Sequence, residues 1–324
     1  TLGGGTAALN AAKSIRLRNS TASIVMLSEE NELPYDRPML TKAMFGAVSN
    51  GAIASEPAAW YKENNVDLRL NSKVEKLDAE KKEVVLTDGS VFSYDKCIYA
   101  LGSSSFIPPF KGKDLPEVVS IRAIKDVEKV KELAKGAQNA VVIGGGVLGL
   151  EAAWELRKAK LNVTVLEGAP VLMAGKVDPE TVRILTDVAK QKGIEIKVGV
   201  KIDEISGAEH VDGVVADGEK IAADLVLVST GVRANIGIAK DAGLVTDRAV
   251  IVDKNMASSV ADIYAAGDCA QYEGANIAIW PVASEMGRIA GANAAGEELV
   301  YAPSVNGMTF HGMGTSLFSV GDVG

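Results

Sequence analysis

Apolar and polar positions along this chain form short runs separated by glycines and charged turns, the pattern of an α/β protein. Ala22 to Leu27 and Asn162 to Leu166 read as strands, and Ala140-Val141-Val142-Ile143 is a wholly apolar run of the kind buried in a parallel sheet. Ile124, Val127, Val130 and Leu133 recur among charges at near-helical spacing and predict a helix that Gly136 can end. Asp178-Pro179-Glu180 combines an N-cap, a proline at the first helical position and a first-turn acid. Gly193 closes that helix, and Ile194, Ile196, Val198, Val200 and Ile202 then alternate as one predicted strand. Thr315 to Val320 alternates as a strand near the carboxy terminus.

These signals come twice, in one order. The first copy runs from Gly3-Gly4-Gly5-Thr6-Ala7-Ala8 through a helix, the Ala22 to Leu27 strand, the acids Glu29 and Glu30, a turn at Asp88-Gly89 and the apolar run Lys96 to Ala100, ending at Gly102. The second runs from Gly144-Gly145-Gly146-Val147-Leu148-Gly149 through a helix, the Asn162 strand, Glu167, a turn at Asp217-Gly218 and another apolar strand, ending at Gly231. Each copy is a βαβ start followed by a short β-meander. Pro108-Pro109 and Gly112 mark the crossing between domains, and after Gly231 no third fingerprint follows, so the chain is expected to return and complete the first domain. Only Thr1 and Leu2 precede Gly3, so the strand feeding that motif is expected to be clipped, as is the carboxy-terminal end. The expected fold is α/β, with two Rossmann-like three-layer (ββα) dinucleotide-binding domains, one inserted in the other, and a truncated C-terminal domain.

Two such fingerprints imply sites for two dinucleotides. In the second, Gly144 makes the tight turn, Gly146 lets a pyrophosphate approach the backbone, and Gly149 lets helix and strand pack closely. The helix amino terminus offers its free N–H groups to the phosphates. Glu167 follows at the spacing of the acid that accepts the ribose hydroxyls. A carboxylate there repels a 2′-phosphate by roughly 3 kcal/mol per unit charge at about 5 Å and an effective dielectric constant of about 20. Gly168-Ala169-Pro170-Val171 brings no compensating cation, so NADH is favoured over NADPH. In the first motif Gly3 and Gly5 match, while Ala8 replaces the third glycine, a change the pattern admits. Ser28 ends the strand there and Glu29 follows, which leaves open which acid meets the ribose.

Composition narrows the class. The chain has 324 residues, enough for two or three domains, and 47% of them are hydrophobic, so a sizeable core can form. Lys and Arg number 34 against 42 Asp and Glu, for a net charge of −8, which argues against nucleic acid or an anionic membrane as partner. No apolar run reaches the length of a membrane helix, and no signal peptide is visible. The two cysteines, Cys97 and Cys269, are far apart and read as buried packing thiols, which fits a reducing cytoplasm. The two histidines, His210 and His311, suggest neither a metal cluster nor a Ser-His-Asp triad.

Leu33-Pro34-Tyr35-Asp36-Arg37-Pro38-Met39-Leu40-Thr41-Lys42 resembles the P-Y-x-R-P-x-L-[ST]-K segment of flavoprotein pyridine-nucleotide reductases, and Ile263-Tyr264-Ala265-Ala266-Gly267-Asp268 is similar to their later G-D motif. Over nearly its whole length the chain resembles the FAD-dependent pyridine nucleotide-disulfide oxidoreductases. Within them it is most similar to NADH:rubredoxin reductases, the FAD-binding part of NAD(P)H nitrite reductases, and the reductase components of oxygenase systems. The resemblance implies an FAD-binding domain from residues 1–107 and 235–300, an NAD-binding domain over 108–234, and the start of a C-terminal interface domain over 301–324. It implies that Asp268 holds the ribityl chain of FAD, and that Arg37 and Lys42 line the flavin and its phosphates. Lys42 would stand near the reactive flavin nitrogen and Glu151 near the nicotinamide, the two forming an ion pair. Gly102 and Gly231 match strand-end glycines, with Leu101 in place of the usual threonine. Trp280-Pro281 resembles the aromatic segment beside the isoalloxazine. Residue type alone leaves Lys42 open as a solvated surface lysine and Trp280 as a core side chain.

Disulfide-reducing members of the superfamily carry a redox cysteine pair in the first domain, or a single cysteine near residue 40, and this chain has neither. The resemblance therefore implies an NADH-dependent FAD oxidoreductase that passes electrons to an external acceptor, a rubredoxin, a ferredoxin or a fused partner domain. The alternatives are a peroxide-forming NADH oxidase and a non-catalytic redox sensor resembling apoptosis-inducing factor. The sequence leaves the oligomeric state open.

Overall fold

In the computed structural model, which describes residues 1–303, 305 and 307–321, the chain divides into two compact units. Unit 1 comprises Thr1–Asp36, Ser49–Ser104 and Arg233–Pro303, and unit 2 comprises Arg37–Val48, Ser105–Val232 and the carboxy-terminal hairpin. From the amino terminus the elements are α1 (Thr6–Arg18), β1 (Ile24–Leu27), α2 (Met39–Lys42), α3 (Ala58–Glu63), β2 (Val66–Arg69), β3 (Val74–Asp78), β4 (Glu83–Leu86), β5 (Val91–Ser93), β6 (Cys97–Tyr99) and β7 (Ser103–Ser105). They continue with β8 (Val118–Val119), α4 (Ile124–Ala134), β9 (Asn139–Ile143), α5 (Val147–Lys158), β10 (Asn162–Glu167), α6 (Pro179–Gln191), β11 (Ile194–Val198), β12 (Ile202–Ser206), β13 (Gly213–Ala216), β14 (Glu219–Ala222), β15 (Leu225–Val228) and β16 (Val232–Ala234). The last are α7 (Gly237–Asp241), β17 (Val250–Val252), β18 (Ile263–Ala265), β19 (Ala270–Tyr272), α8 (Trp280–Ala294), β20 (Gly307–Gly312) and β21 (Thr315–Val320).

Unit 2 is built on a five-stranded sheet in the order β11-β10-β9-β15-β8, every pair parallel. A parallel sheet covered on both faces needs continuous apolar strands, and all of β15 and the Ala140–Ile143 stretch of β9 are buried. Val141 and Ile143 share a core with Leu166 and with Ile205 and Val214 of the antiparallel meander β12-β13-β14. Helix α5 packs on β9 and β10. Helix α6 begins as predicted: the Asp178 side chain accepts from the backbone N–H groups of Glu180 and Thr181, and Pro179 takes the first turn.

Unit 1 repeats this order with shorter strands. β1 pairs in parallel with β2, β6 with β18, and Leu2 bridges Leu27 on one side and Tyr99 on the other. The sequence β2-β1-Leu2-β6-β18 therefore matches β11-β10-β9-β15-β8 place for place. The closing edge strand differs in origin: β8 precedes its glycine motif in the chain, whereas β18 follows its own and lies beyond the inserted segment Ser105–Val232. An antiparallel meander β3-β4-β5 completes the likeness.

Three local expectations change. The Ile194–Ile202 run is two strands, because Gly199 takes a left-handed φ of +69° and breaks the alternation into β11 and β12. The Arg37–Val48 segment, expected with the first glycine motif, belongs to unit 2, where Thr41 reaches α5. The hairpin β20–β21, expected to open a separate domain, also lies in unit 2, where β20 packs on α5.

Candidate functional site

The two glycine motifs form two cradles of nearly identical construction. Gly3 and Gly144 hold φ of +115° and +116°, a backbone that L side chains rarely adopt. A Cβ at Gly3 would lie 2.2 Å from the Ala100 carbonyl oxygen, and one at Gly144 would lie 2.3 Å from that of Ser229. Gly5 and Gly146 begin α1 and α5, and a Cβ at either would meet nothing within 4 Å. Neither helix has a side-chain cap or a first-turn acid, unlike α6, so the first-turn N–H groups keep their donors for an anion. These cradles fit the diphosphates of dinucleotide cofactors.

The third position separates the copies. A Cβ at Gly149 would lie 2.0 Å from the Gly144 carbonyl oxygen, so α5 needs glycine there. Ala8, its counterpart, is buried in α1. Helix α1 takes its closest packing instead from α8: a Cβ at Gly287 would lie 2.2 Å from the Ala7 carbonyl oxygen, and one at Gly291 would lie 2.3 Å from that of Ala11. The spacing of Gly287 and Gly291, with Ala7 and Ala11 opposite, is a helix-contact signal in the sequence that the fingerprint reading passed over.

Glu167, at the end of β10, is oriented by the chain itself. The backbone N–H of Gly145 donates to Oε2 at 2.6 Å, and that of Ala169 to Oε1 at 2.7 Å. In unit 1 the matching position is Ser28, whose Oγ would lie 2.3 Å from a Cβ on Gly4. Glu29 is one residue further on, exposed, and pairs with Lys73 at 2.9 Å. Glu30 accepts from the Tyr35 hydroxyl at 2.7 Å.

Asp268 sits half-buried in a 3₁₀ turn, Gly267–Cys269, after β18. Ser103 donates its hydroxyl to Asp268 Oδ2 at 2.7 Å, and Asn276 braces the turn by donating to the carbonyls of Asp268 and Ala270. Ser103 escaped the sequence reading, although it directly follows Gly102. Gly102 and Gly231 both take positive φ, +64° and +95°. Trp280 opens α8 and is 44% exposed, so it is not a core side chain.

In unit 2, Arg37 donates to the Arg122 carbonyl at 2.5 Å, and α2 packs on α5. Glu151 of α5 is only 2% exposed. Thr41 donates its hydroxyl to Glu151 Oε2 at 2.6 Å, while Oε1 makes no hydrogen bond. Burial pushes the Glu151 carboxyl above its ordinary range, opposed by the Thr41 hydrogen bond and by the charge of Lys42. The expected ion pair between Lys42 and Glu151 is not formed: Lys42 acts on Glu151 only by its charge, and the hydrogen bond comes from the neighbouring Thr41. Both cysteines are buried, and burial holds Cys97 up at about 11 and Cys269 at about 12. His210 is exposed and faces Glu117 at 2.6 Å, and His311 is exposed beside Ser316. Among the described residues no group of His, Cys, Asp and Glu is placed to hold a metal ion. No helix among them is long and apolar enough to cross a membrane.

Two dinucleotide cradles on one duplicated α/β plan define a two-cofactor oxidoreductase. The chain belongs to the pyridine nucleotide-disulphide oxidoreductase family, whose pattern matches residues 1–287. Its cofactors are FAD and NAD(H). It is 35% identical over 272 residues to the rubredoxin-NAD(+) reductase of Pseudomonas putida, covering 83% of this chain and 71% of that one. It is 32% identical over 320 residues to the NADH oxidase of Methanocaldococcus jannaschii, covering 94% and 71%. Among solved structures it is similar to the ferredoxin reductase for the CYP199A2 system of Rhodopseudomonas palustris, with a TM-score of 0.93, 30% identity and coverage of 99% of this chain and 82% of that one.

Proposed function

We propose that this protein oxidises NADH and delivers the electrons to a small redox protein of the rubredoxin or ferredoxin kind, or to a fused domain that does the same work. The observation that carries the reading is the pair of uncapped glycine cradles, one in each unit, beside cysteines that are buried and hard to ionise. Bound FAD accepts a hydride from NADH and can release the two electrons one at a time. Unit 1 holds it: the first turn of α1 takes the diphosphate, Asp268, oriented by Ser103, takes the ribityl chain, and Glu29 lies at the ribose end. Unit 2 holds NADH: the first turn of α5 takes the diphosphate, and Glu167, fixed by two backbone amides, takes the ribose hydroxyls and turns away a 2′-phosphate. Arg37, Lys42, Gly102, Gly231 and Trp280 complete the cofactor-contacting set, and Lys42 with Glu151 serves the hydride step.

The relatives named for rubredoxin and for dioxygenase ferredoxins support a protein acceptor. The named NADH oxidase, matched over nearly all of this chain, favours a second reading in which oxygen is the acceptor and peroxide the product. Anaerobic NADH added to the purified protein should bleach bound FAD. Stopped-flow reoxidation should then be much faster with rubredoxin or ferredoxin than with oxygen. Flavin that stays oxidised overturns both readings, and oxygen outpacing every protein carrier overturns the first.

A further inference from the structure

The Glu151 carboxyl group is anchored at one oxygen and unpartnered at the other. We propose that Thr41 is a positioning residue for Glu151: its hydroxyl fixes Oε2, so that Oε1 is the atom at which unit 2 takes up and gives back a proton. The geometry is one-sided. Thr41 donates to Oε2 at 2.6 Å inside the protein, and Oε1 is buried without a hydrogen bond. A buried carboxylate oxygen with no donor is costly, and adding a proton there removes the cost. A hydroxyl held at Oε2 favours the ionised form, so Thr41 keeps the proton at Oε1 exchangeable instead of permanent.

The charged groups around this carboxyl are few. From α2, Lys42 favours ionisation. From α5 itself, Glu155 one turn along opposes it, and Glu155 is paired with Lys158 at 2.6 Å. From β20, the backbone N–H of His311 also favours ionisation without completing a hydrogen bond to Oε1. β9 has no titratable side chain, Glu167 of β10 is occupied by the Gly145 and Ala169 amides, and on β11 Lys197 pairs with Glu219 and Glu195. A cavity of about 500 Å³ is lined by Lys42, Ala43, Phe45, Glu155, Lys158 and their neighbours. Lys42 both lines that cavity and acts on Glu151 by its charge.

The inference deepens the hydride-transfer reading but rests on it only for its kinetic arm. The test is an infrared pH titration of the holoprotein without NADH, with Glu151→Gln used to assign the carboxylic acid band. Wild type should show one band that disappears with rising pH and is absent from Glu151→Gln. Thr41→Val should move its midpoint upward by roughly ten- to a hundredfold in proton affinity, and Thr41→Ser should restore it. Thr41→Ala, which adds no bulk, stands in if the valine variant does not fold. An unmoved midpoint in the hydroxyl-less variants, or no band removed by Glu151→Gln, overturns the inference. The pH profile of flavin bleaching by NADH should shift in parallel. If the band moves and the profile does not, the positioning role stands and the assignment of Glu151 to the hydride step fails.

Discussion

Two carboxylates of unit 2, on the consecutive elements α5 and β10, are handled in opposite ways. Glu167 is satisfied at both oxygens by backbone amides, whereas Glu151 is buried and satisfied at one. The Glu151 carboxyl is held above its unfolded value, first by burial. A raised acid binds its proton longer in the folded state, so its share of stability is full below the unfolded value of about 4.3 and is lost as pH rises through the folded value. Glu151→Gln should therefore gain on wild type in thermal melting as pH is raised from about 4 towards neutrality, and a pH-independent difference would contradict this. In the proposed NADH site, Glu167→Gln removes the charge that would face the adenosine ribose without removing its shape. Its preference for NADH over NADPH, read from the two dissociation constants, should fall by about one to two orders of magnitude. An unchanged ratio would remove Glu167 from cofactor choice.

At the scale of elements, helix contacts decide where glycine is required. The second fingerprint needs its third glycine because α5 lies against its own turn, while α1 accepts Ala8 and lies against α8. Gly287→Ala places a methyl within 2.2 Å of a carbonyl oxygen of α1, and the two helices must separate. Overpacking of this kind costs about 1–3 kcal/mol, and Gly287→Ala should lower the melting temperature and loosen flavin retention in dialysis. Gly237→Ala, in open space at the start of α7, should do neither. The glycine motifs, Asp178 and the apolar strands were legible because local chemistry fixes them: a turn needs positive φ, a helix end needs a cap. Thr41 and Ser103 were not, because their importance comes from a partner far along the chain, Glu151 in one case and Asp268 in the other.

For the whole molecule, the repeated marker order revealed the duplication, and the missing third fingerprint revealed that the chain returns. Where one unit stops was less legible, because Arg37–Val48 joins unit 2 through one buried hydroxyl and a short helix that carry no periodic signal. If each unit serves one cofactor, each cofactor should slow amide exchange in its own sheet first. In hydrogen-exchange mass spectrometry, flavin should protect peptides spanning Gly3 to Ser28, and NADH those spanning Gly144 to Ala169. Protection of the first set by NADH in flavin-free protein would reverse the assignment.

The edge strands β8 and β18 have a further meaning when the chain is made residue by residue. All five strands of the unit 2 sheet lie between Val118 and Val228, so that sheet is complete once β15 has emerged from the ribosome. The sheet of unit 1 begins with Leu2 and must wait for β18 and for α8, which closes over α1. The segment from Leu2 to Leu27, made before the inserted strands, thus waits longer than they do, and its apolar strands remain without their final neighbour while the inserted sheet forms.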